Sequence, residues 1–138
     1  MYRIFKLTLL TQFVDDYKTR THMVEQTKRT QQMAVESLKR AKEGGVSIVL
    51  GTDNVGWPAA DNFHEARCLV KAGLTPREVL RAATSTSALL MNVSTQLGRL
   101  EKGFLADIIG LCEDPTHSVE SWGKVAFVFS KGKLIRKD

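Results

Sequence analysis

Residues 46–53 read VSIVLGTD, an aliphatic run that ends in glycine, threonine and a carboxylate. A short run of this kind is typical of a strand covered on both faces. We therefore predict a strand over residues 46–50, ended by Gly51, that presents Asp53 at its carboxyl end. Sheets and barrels of the α/β class place functional groups at that edge. A carboxylate there can bind a divalent metal and accept a proton from metal-bound water, or Asp53 can cap a turn with Asn54.

The sequence before this strand predicts one further strand and a long helix. Residues 2–10 are β-rich with apolar positions on both sides, which indicates a largely buried strand. Residues 19–43 carry apolar or small residues at spacings of three and four, and Gly44-Gly45 supply the stop signal. These signals predict a strand and an amphipathic helix ahead of residues 46–50.

Two or three helices are predicted after the strand. Asp61 has the position of an N-cap for a helix that ends at Gly73. The quartet Thr75-Pro76-Arg77-Glu78 combines an N-cap threonine, proline at the first helical position and glutamate at the third, which predicts a capping box. We expect this helix to reach about Met91, with a break near Thr84.

The predicted secondary structure changes from helices to short strands and turns after Asn92. Residues 105–111, 125–129 and 133–136 have strand character, and Ser130-Lys131-Gly132 predicts a turn between the last two. We therefore divide the chain into α/β units over residues 1–92 and an antiparallel β unit over residues 93–138.

Composition excludes several classes of protein. The chain has 138 residues, 43% hydrophobic and 25% charged, with a net charge of +5. Most of the excess positive charge falls in residues 1–40, and the aromatic residues, at 7%, do not interleave with the basic ones. We therefore expect a cytoplasmic globular protein with neither nucleic acid nor membrane as its partner. Cys68 and Cys112 lack CxxC spacing, so we expect buried, reduced thiols.

The predicted elements look incomplete by themselves. Two parallel strands are too few to close a sheet, and three antiparallel strands leave open edges. A (β/α)8 barrel needs at least about 200 residues, so this chain cannot form one alone, although it could supply the last quarter of one.

Three stretches together resemble a known family: GVSIVLGTDN, DNFHEARCLVKAGLTPREVLRAATSTSALLM and LGRLEKGFLADIIGL. They are similar to the C-terminal part of metal-dependent amidohydrolases, in the imidazolonepropionase-like and Xaa-Pro dipeptidase-like branch. The resemblance covers roughly residues 20–138. It implies the last two β/α units of a (β/α)8 TIM-like barrel in residues 1–92, and the C-terminal strands of a small β-sandwich in residues 93–138.

The resemblance also implies roles for single residues. Asp53 matches the aspartate at the end of the eighth barrel strand, which binds the metal and acts as general base. Asp107 matches a structural position at the start of the sandwich. Asn54, Trp57 and Asn62 fall in the substrate loop, where close relatives read P-H-G-x-N and this chain reads WPAADN. The lost histidine leaves the substrate class open.

The other metal ligands of the family lie upstream of any residue in this sequence. The resemblance implies a complete enzyme that uses one or two divalent cations, with zinc the first expectation, to hydrolyse C–N bonds in a small-molecule amide, cyclic amide or dipeptide. A catalytic zinc site typically has three protein ligands, so we expect this chain alone to bind no metal and to be inactive. It would act with a missing N-terminal part or as a homo-oligomer. The alternative is a non-catalytic truncated paralogue that serves as an interaction module.

The histidines offer a weaker possibility. His64-Glu65-Ala66-Arg67-Cys68 resembles H-E-x-x-H, with Glu65 placed as a base. A core thiol at Cys68 and a partly exposed His64 on an outer helix are the simpler interpretation. We expect His22 and His117 to be surface residues.

Overall fold

The computed structural model describes residues 17–52 and 62–137, which form a helical region followed by a small sheet. The helical region holds four α-helices, and the sheet holds three strands with a short 3-10 helix between the first two. In chain order the elements are α1 (Tyr17–Glu43), α2 (Asn62–Lys71), α3 (Pro76–Ala83), α4 (Ser85–Leu90), β1 (Ile108–Leu111), the 3-10 helix (Val119–Gly123), β2 (Val125–Ser130) and β3 (Lys133–Lys137).

The helix ends lie where local signals predict them. After α1, the Gly45 backbone takes a φ of 67°, its N–H donates to Lys42 O at 3.0 Å and the Val46 N–H donates to Ala41 O at 2.9 Å. Gly73 ends α2 in the same way, with a φ of 108°. Both ends are Schellman motifs, which satisfy the last carbonyl groups of a helix and reverse the chain.

The capping box of α3 is confirmed. Thr75 Oγ1 accepts from the Glu78 N–H at 3.2 Å, and Glu78 Oε2 accepts from the Thr75 N–H at 2.7 Å. The predicted break is confirmed too, since α3 ends at Ala83 and α4 begins at Ser85. Local capping chemistry thus accounts for the start of α3, whereas α4 begins without a side-chain cap.

The predicted strand over residues 46–50 is wrong for this chain. These residues are in no sheet of the described structure, and the Leu50 N–H donates instead to Ala82 O of α3 at 3.1 Å. A strand needs a hydrogen-bonded neighbour, and the described residues supply none here. The apolar pattern still has its effect, because Ile48 and Leu50 pack against the core. The strand predicted over residues 2–10, the N-cap Asp61 and the loop after Asp53 lie outside the described residues.

The core lies between the three longest elements of the helical region. Leu38 comes from the C-terminal end of α1, whereas Thr30, two turns earlier on the same stripe, is exposed. The 3-10 helix contributes Val119, which joins the β unit to the helical core. The buried residues of this cluster are Leu38, Ala66, Leu69, Ala72, Leu74, Val79 and Val119.

The sheet is antiparallel, as predicted, and the structure gives its strand order as β1-β2-β3. The turn between β2 and β3 uses positive φ at both Lys131 and Gly132, 50° and 76°, which suits the twist of a hairpin. The predicted strand from residue 105 is too long: β1 begins at Ile108, because the Leu105 N–H donates to Gln96 O in a preceding turn.

The exposure of the cysteine and histidine side chains agrees with the prediction only in part. Cys68 is half-buried, but Cys112 is exposed, because it lies just past the end of β1, so the expectation of two buried thiols is wrong for Cys112. His64 and His117 are exposed as expected. Of the helices in residues 17–52 and 62–137, none combines the length and the apolar character that crossing a bilayer requires.

Candidate active site

The candidate site lies at the end of the segment that leads into Asp53. Leu50 is held to α3 through the Ala82 carbonyl, and the next N–H, that of Gly51, donates to Glu65 Oε1 of α2 at 3.4 Å. Two successive amides are therefore fixed by two different helices. These bonds hold Leu50 and Gly51 beside α3 and α2, and within the described residues neither amide pairs in a sheet.

Asp53, Asn54 and Trp57 lie outside the described residues. Asn62 is the first residue of α2, and its side chain also lies outside the description. The roles expected for these four residues therefore remain predictions.

Glu65 contacts the segment that leads into Asp53 through the Gly51 N–H, a contact that the sequence analysis does not predict. Burial raises the pKa of the Glu65 carboxyl above its ordinary value, and the hydrogen bond from the Gly51 N–H offsets part of that rise. The available signal is an acidic residue in the first turn of the helix that follows residues 46–52. That signal does not distinguish a contact with this segment from a favourable interaction with the helix dipole.

The histidine and cysteine pattern does not assemble a metal site. His64 is exposed and Cys68 half-buried on α2, and His117 Nδ1 lies 3.0 Å from Asp114 Oδ2 at the surface. Nowhere in residues 17–52 and 62–137 do three His, Cys, Asp or Glu side chains converge in a geometry that could hold a metal ion.

Asp107 has a structural contact, consistent with its expected role. Its Oδ1 accepts from the Lys131 N–H at 2.6 Å, which ties the turn after β2 to the start of β1. The neighbouring Gly132 N–H donates to Ala106 O at 3.0 Å. This carboxylate therefore closes the hairpin of the sheet.

A bidentate ion pair joins the helices to the β unit. The Arg67 guanidinium on α2 donates to both carboxylate oxygens of Glu120, at 2.9 and 2.6 Å, and its Cζ lies 3.9 Å from the centre of the Phe63 ring. The guanidinium hydrogen bonds hold the pKa of Glu120 below its ordinary value. The β unit is thus fixed to the helix that carries Glu65.

A second ion pair lies near the other end of residues 46–52. Lys42 Nζ lies 2.8 Å from Glu78 Oε2 and donates to Gly73 O at 3.1 Å. The Lys42 ammonium and the Thr75 N–H lower the pKa of Glu78 to about 2. This cluster joins the ends of α1 and α2 to the start of α3.

With this geometry in view, comparison with known proteins identifies the class. The family model described as the Amidohydrolase family matches residues 8–135, and the chain belongs to that family. The predicted resemblance is confirmed. The family is generally metal-dependent, and the likeness to its structures implies a TIM-barrel-type fold, of which this chain carries a small part.

Individual relatives within the family are also similar to this chain. The chain is 33% identical over 107 residues to ochratoxinase of Aspergillus niger, covering 74% of this chain and 22% of that protein. It is 36% identical over 104 residues to imidazolonepropionase of Symbiobacterium thermophilum, covering 70% and 24%. A crystal structure of a Xaa-Pro dipeptidase with bound methionine in the active site matches with a TM-score of 0.73 and 26% identity, covering 81% and 27%. The chain thus spans about a quarter of the length of these relatives.

Proposed function

We propose that this chain is the C-terminal part of a metal-dependent hydrolase that acts on C–N bonds in small amides, cyclic amides or dipeptides. The observation that carries the proposal is the family match over residues 8–135, which includes the Gly51-Thr52-Asp53 segment. Similarity to an imidazolonepropionase and to a Xaa-Pro dipeptidase supports small molecules as the substrates.

Asp53 is the residue to which we assign the chemistry. At the end of the Leu50-Gly51-Thr52 segment it would bind the metal and accept the proton of the attacking water. Asn54, Trp57 and Asn62 would contact the substrate. In this proposal residues 1–92 correspond to the last two β/α units of the barrel, and residues 93–138 to the C-terminal strands of a β-sandwich.

Residues 17–52 and 62–137 do not supply a complete metal centre. A catalytic zinc ion typically takes three protein ligands, and the described residues bring no such group together. Asp53 is therefore the single ligand we assign, and the others would come from sequence outside residues 1–138. We accordingly assign no hydrolytic step to this chain alone.

The experiment compares two aspartates in the longest product that contains this sequence. The metal-loaded protein is assayed against a panel of dipeptides and cyclic amides, as wild type, Asp53→Asn and Asp107→Asn. We expect Asp53→Asn to lower kcat at least about a thousandfold, because the general base and a metal ligand are both lost. Asp107→Asn is the matched control: an Asn oxygen still accepts from the Lys131 N–H, so activity stays within about twofold of wild type. Equal activity of all three proteins would refute the assignment.

One observation favours a second candidate, an interaction module. Ile109, Leu134 and Ile135 of the sheet are exposed by 62%, 51% and 65%, and in the described structure β1 and β3 each pair on one side only. Apolar open edges can pair with another chain. A monodisperse dimer or complex in light scattering would favour the module, whereas aggregation would favour part of an enzyme.

A further inference from the structure

The backbone just before Asp53 is held from two sides. The Leu50 N–H points to Ala82 O of α3, and the Gly51 N–H points to Glu65 Oε1 of α2. Two successive amides therefore bond to two different helices, which restrains the backbone at Leu50 and Gly51 from two sides. Of these two amides, the one bonded to Glu65 is nearer to Asp53 in the sequence.

Glu65 itself sits on a rigid support. Its neighbour Ala66 is fully buried, and Leu69 one turn later is 3% exposed in the core. The adjacent Arg67 is held by Glu120. The carboxylate therefore extends from a helix that cannot shift without disturbing the core.

The carboxylate is costly at this position. Half-burial raises the pKa of Glu65, which means that the folded protein disfavours its charged form. An alanine would be buried there without this cost, so packing alone does not account for a glutamate. The carboxylate accepts a hydrogen bond from the Gly51 N–H, which an alanine side chain could not do.

We propose that Glu65 is a positioning residue that fixes the Gly51-Thr52 backbone, the stretch that directly precedes Asp53 in the sequence. The inference rests on the proposed function only for the chemical role assigned to Asp53. Glu65 touches no reacting group in this proposal, and it acts through the backbone alone.

The test is nuclear magnetic resonance of the ¹⁵N-labelled 138-residue chain as wild type, Glu65→Gln, Glu65→Ala and Glu36→Gln. The Gln side chain keeps an acceptor oxygen, Ala removes it, and Glu36 is an exposed carboxylate on α1 that serves as the control. We expect Gly51 amide exchange to accelerate about fivefold in Glu65→Ala, with movement of the Thr52 and Asp53 amide signals. Glu65→Gln and Glu36→Gln should stay within about twofold of wild type.

A second readout does not depend on how well Glu65→Ala folds. In the wild-type chain the Gly51 amide shift should follow the ionisation of Glu65, and Glu65→Gln should lose that response. A Gly51 signal indifferent to Glu65 in both readouts would overturn the proposal, as would equal exchange in Glu65→Gln and Glu65→Ala. Neither readout requires hydrolysis, so failure of the positioning contact and failure of the proposed activity are distinguishable.

Discussion

The helical region and the sheet differ in how they bury apolar side chains. Residues 17–90 place Leu38, Leu69 and Val79 in a shared core at 5% exposure or less. In the three strands no residue reaches that burial, and all of β3 is exposed. The β unit is tied to the core through Val119 and the Arg67–Glu120 pair, which lie outside the strands.

The two regions therefore differ in the interactions that stabilise them. Hydrophobic burial supports the helices that hold the segment leading into Asp53, whereas backbone hydrogen bonds and turn geometry support the sheet. The helical region has its own core. In the amidohydrolase interpretation, another part of the complete protein would cover the exposed apolar side chains of the sheet. Substitutions in the two regions should therefore have unequal effects.

The largest effect is expected from a matched leucine pair. Leu69→Ala removes a buried side chain from the core and should lower the free energy of unfolding by about 2–5 kcal/mol. Leu134→Ala, on the exposed strand β3, should change it by less than about 0.5 kcal/mol. Urea unfolding followed by circular dichroism measures both, and similar losses would remove the distinction between the regions.

A glycine pair tests the junction between the regions. Gly98 and Gly103 both have positive φ, 87° and 94°, but a Cβ on Gly98 would lie 2.7 Å from Ala88 Cβ and 2.9 Å from Thr84 O, whereas one on Gly103 would meet nothing within 4 Å. Gly103→Ala should cost about 1 kcal/mol from backbone strain, and Gly98→Ala about 1–3 kcal/mol more. Thermal unfolding of the two variants measures the difference, and equal costs would show that the close approach of residue 98 to α4 is unimportant.

The smallest expected effect is the pH dependence that Glu78 adds to the helical region. Its folded pKa of about 2 lies below the ordinary value of 4.5, so the stabilisation is complete above about pH 4.5 and is lost as the pH falls toward 2. The carboxylate is 41% exposed, so we expect only about 0.5–1 kcal/mol after screening. The pH profile of unfolding in Glu78→Gln, against Glu36→Gln as control, should lack this component; a profile identical to wild type would argue against the ion pair with Lys42.

The sequence predicts well what neighbouring residues decide. The ends of α1 and α2, the capping box at Thr75 and the hairpin turn at Lys131 each depend on signals within a few residues. The strand over residues 46–50 fails, because pairing depends on neighbours that the described chain does not provide. No local pattern marks the contact between Gly51 and Glu65.

The same limit applies to the candidate site. Asp53 can be proposed from the sequence because the carboxylate in GTD is a local feature, and its role stays a prediction. The Arg67–Glu120 pair joins residues 53 positions apart, and the link depends on how α2 meets the 3-10 helix. Such contacts depend on how the elements pack, and the spacing of residues along the sequence does not predict them.

The central proposal is that Asp53 is the single metal ligand in this chain and that the remaining ligands come from elsewhere. The most direct test is an assay of the purified 138-residue chain. The chain is incubated with zinc or manganese and a panel of dipeptides, alongside Asp53→Asn. We predict no turnover by either protein. Turnover by the wild type that Asp53→Asn abolishes would contradict the claim, because residues 1–138 would then assemble a working site by themselves.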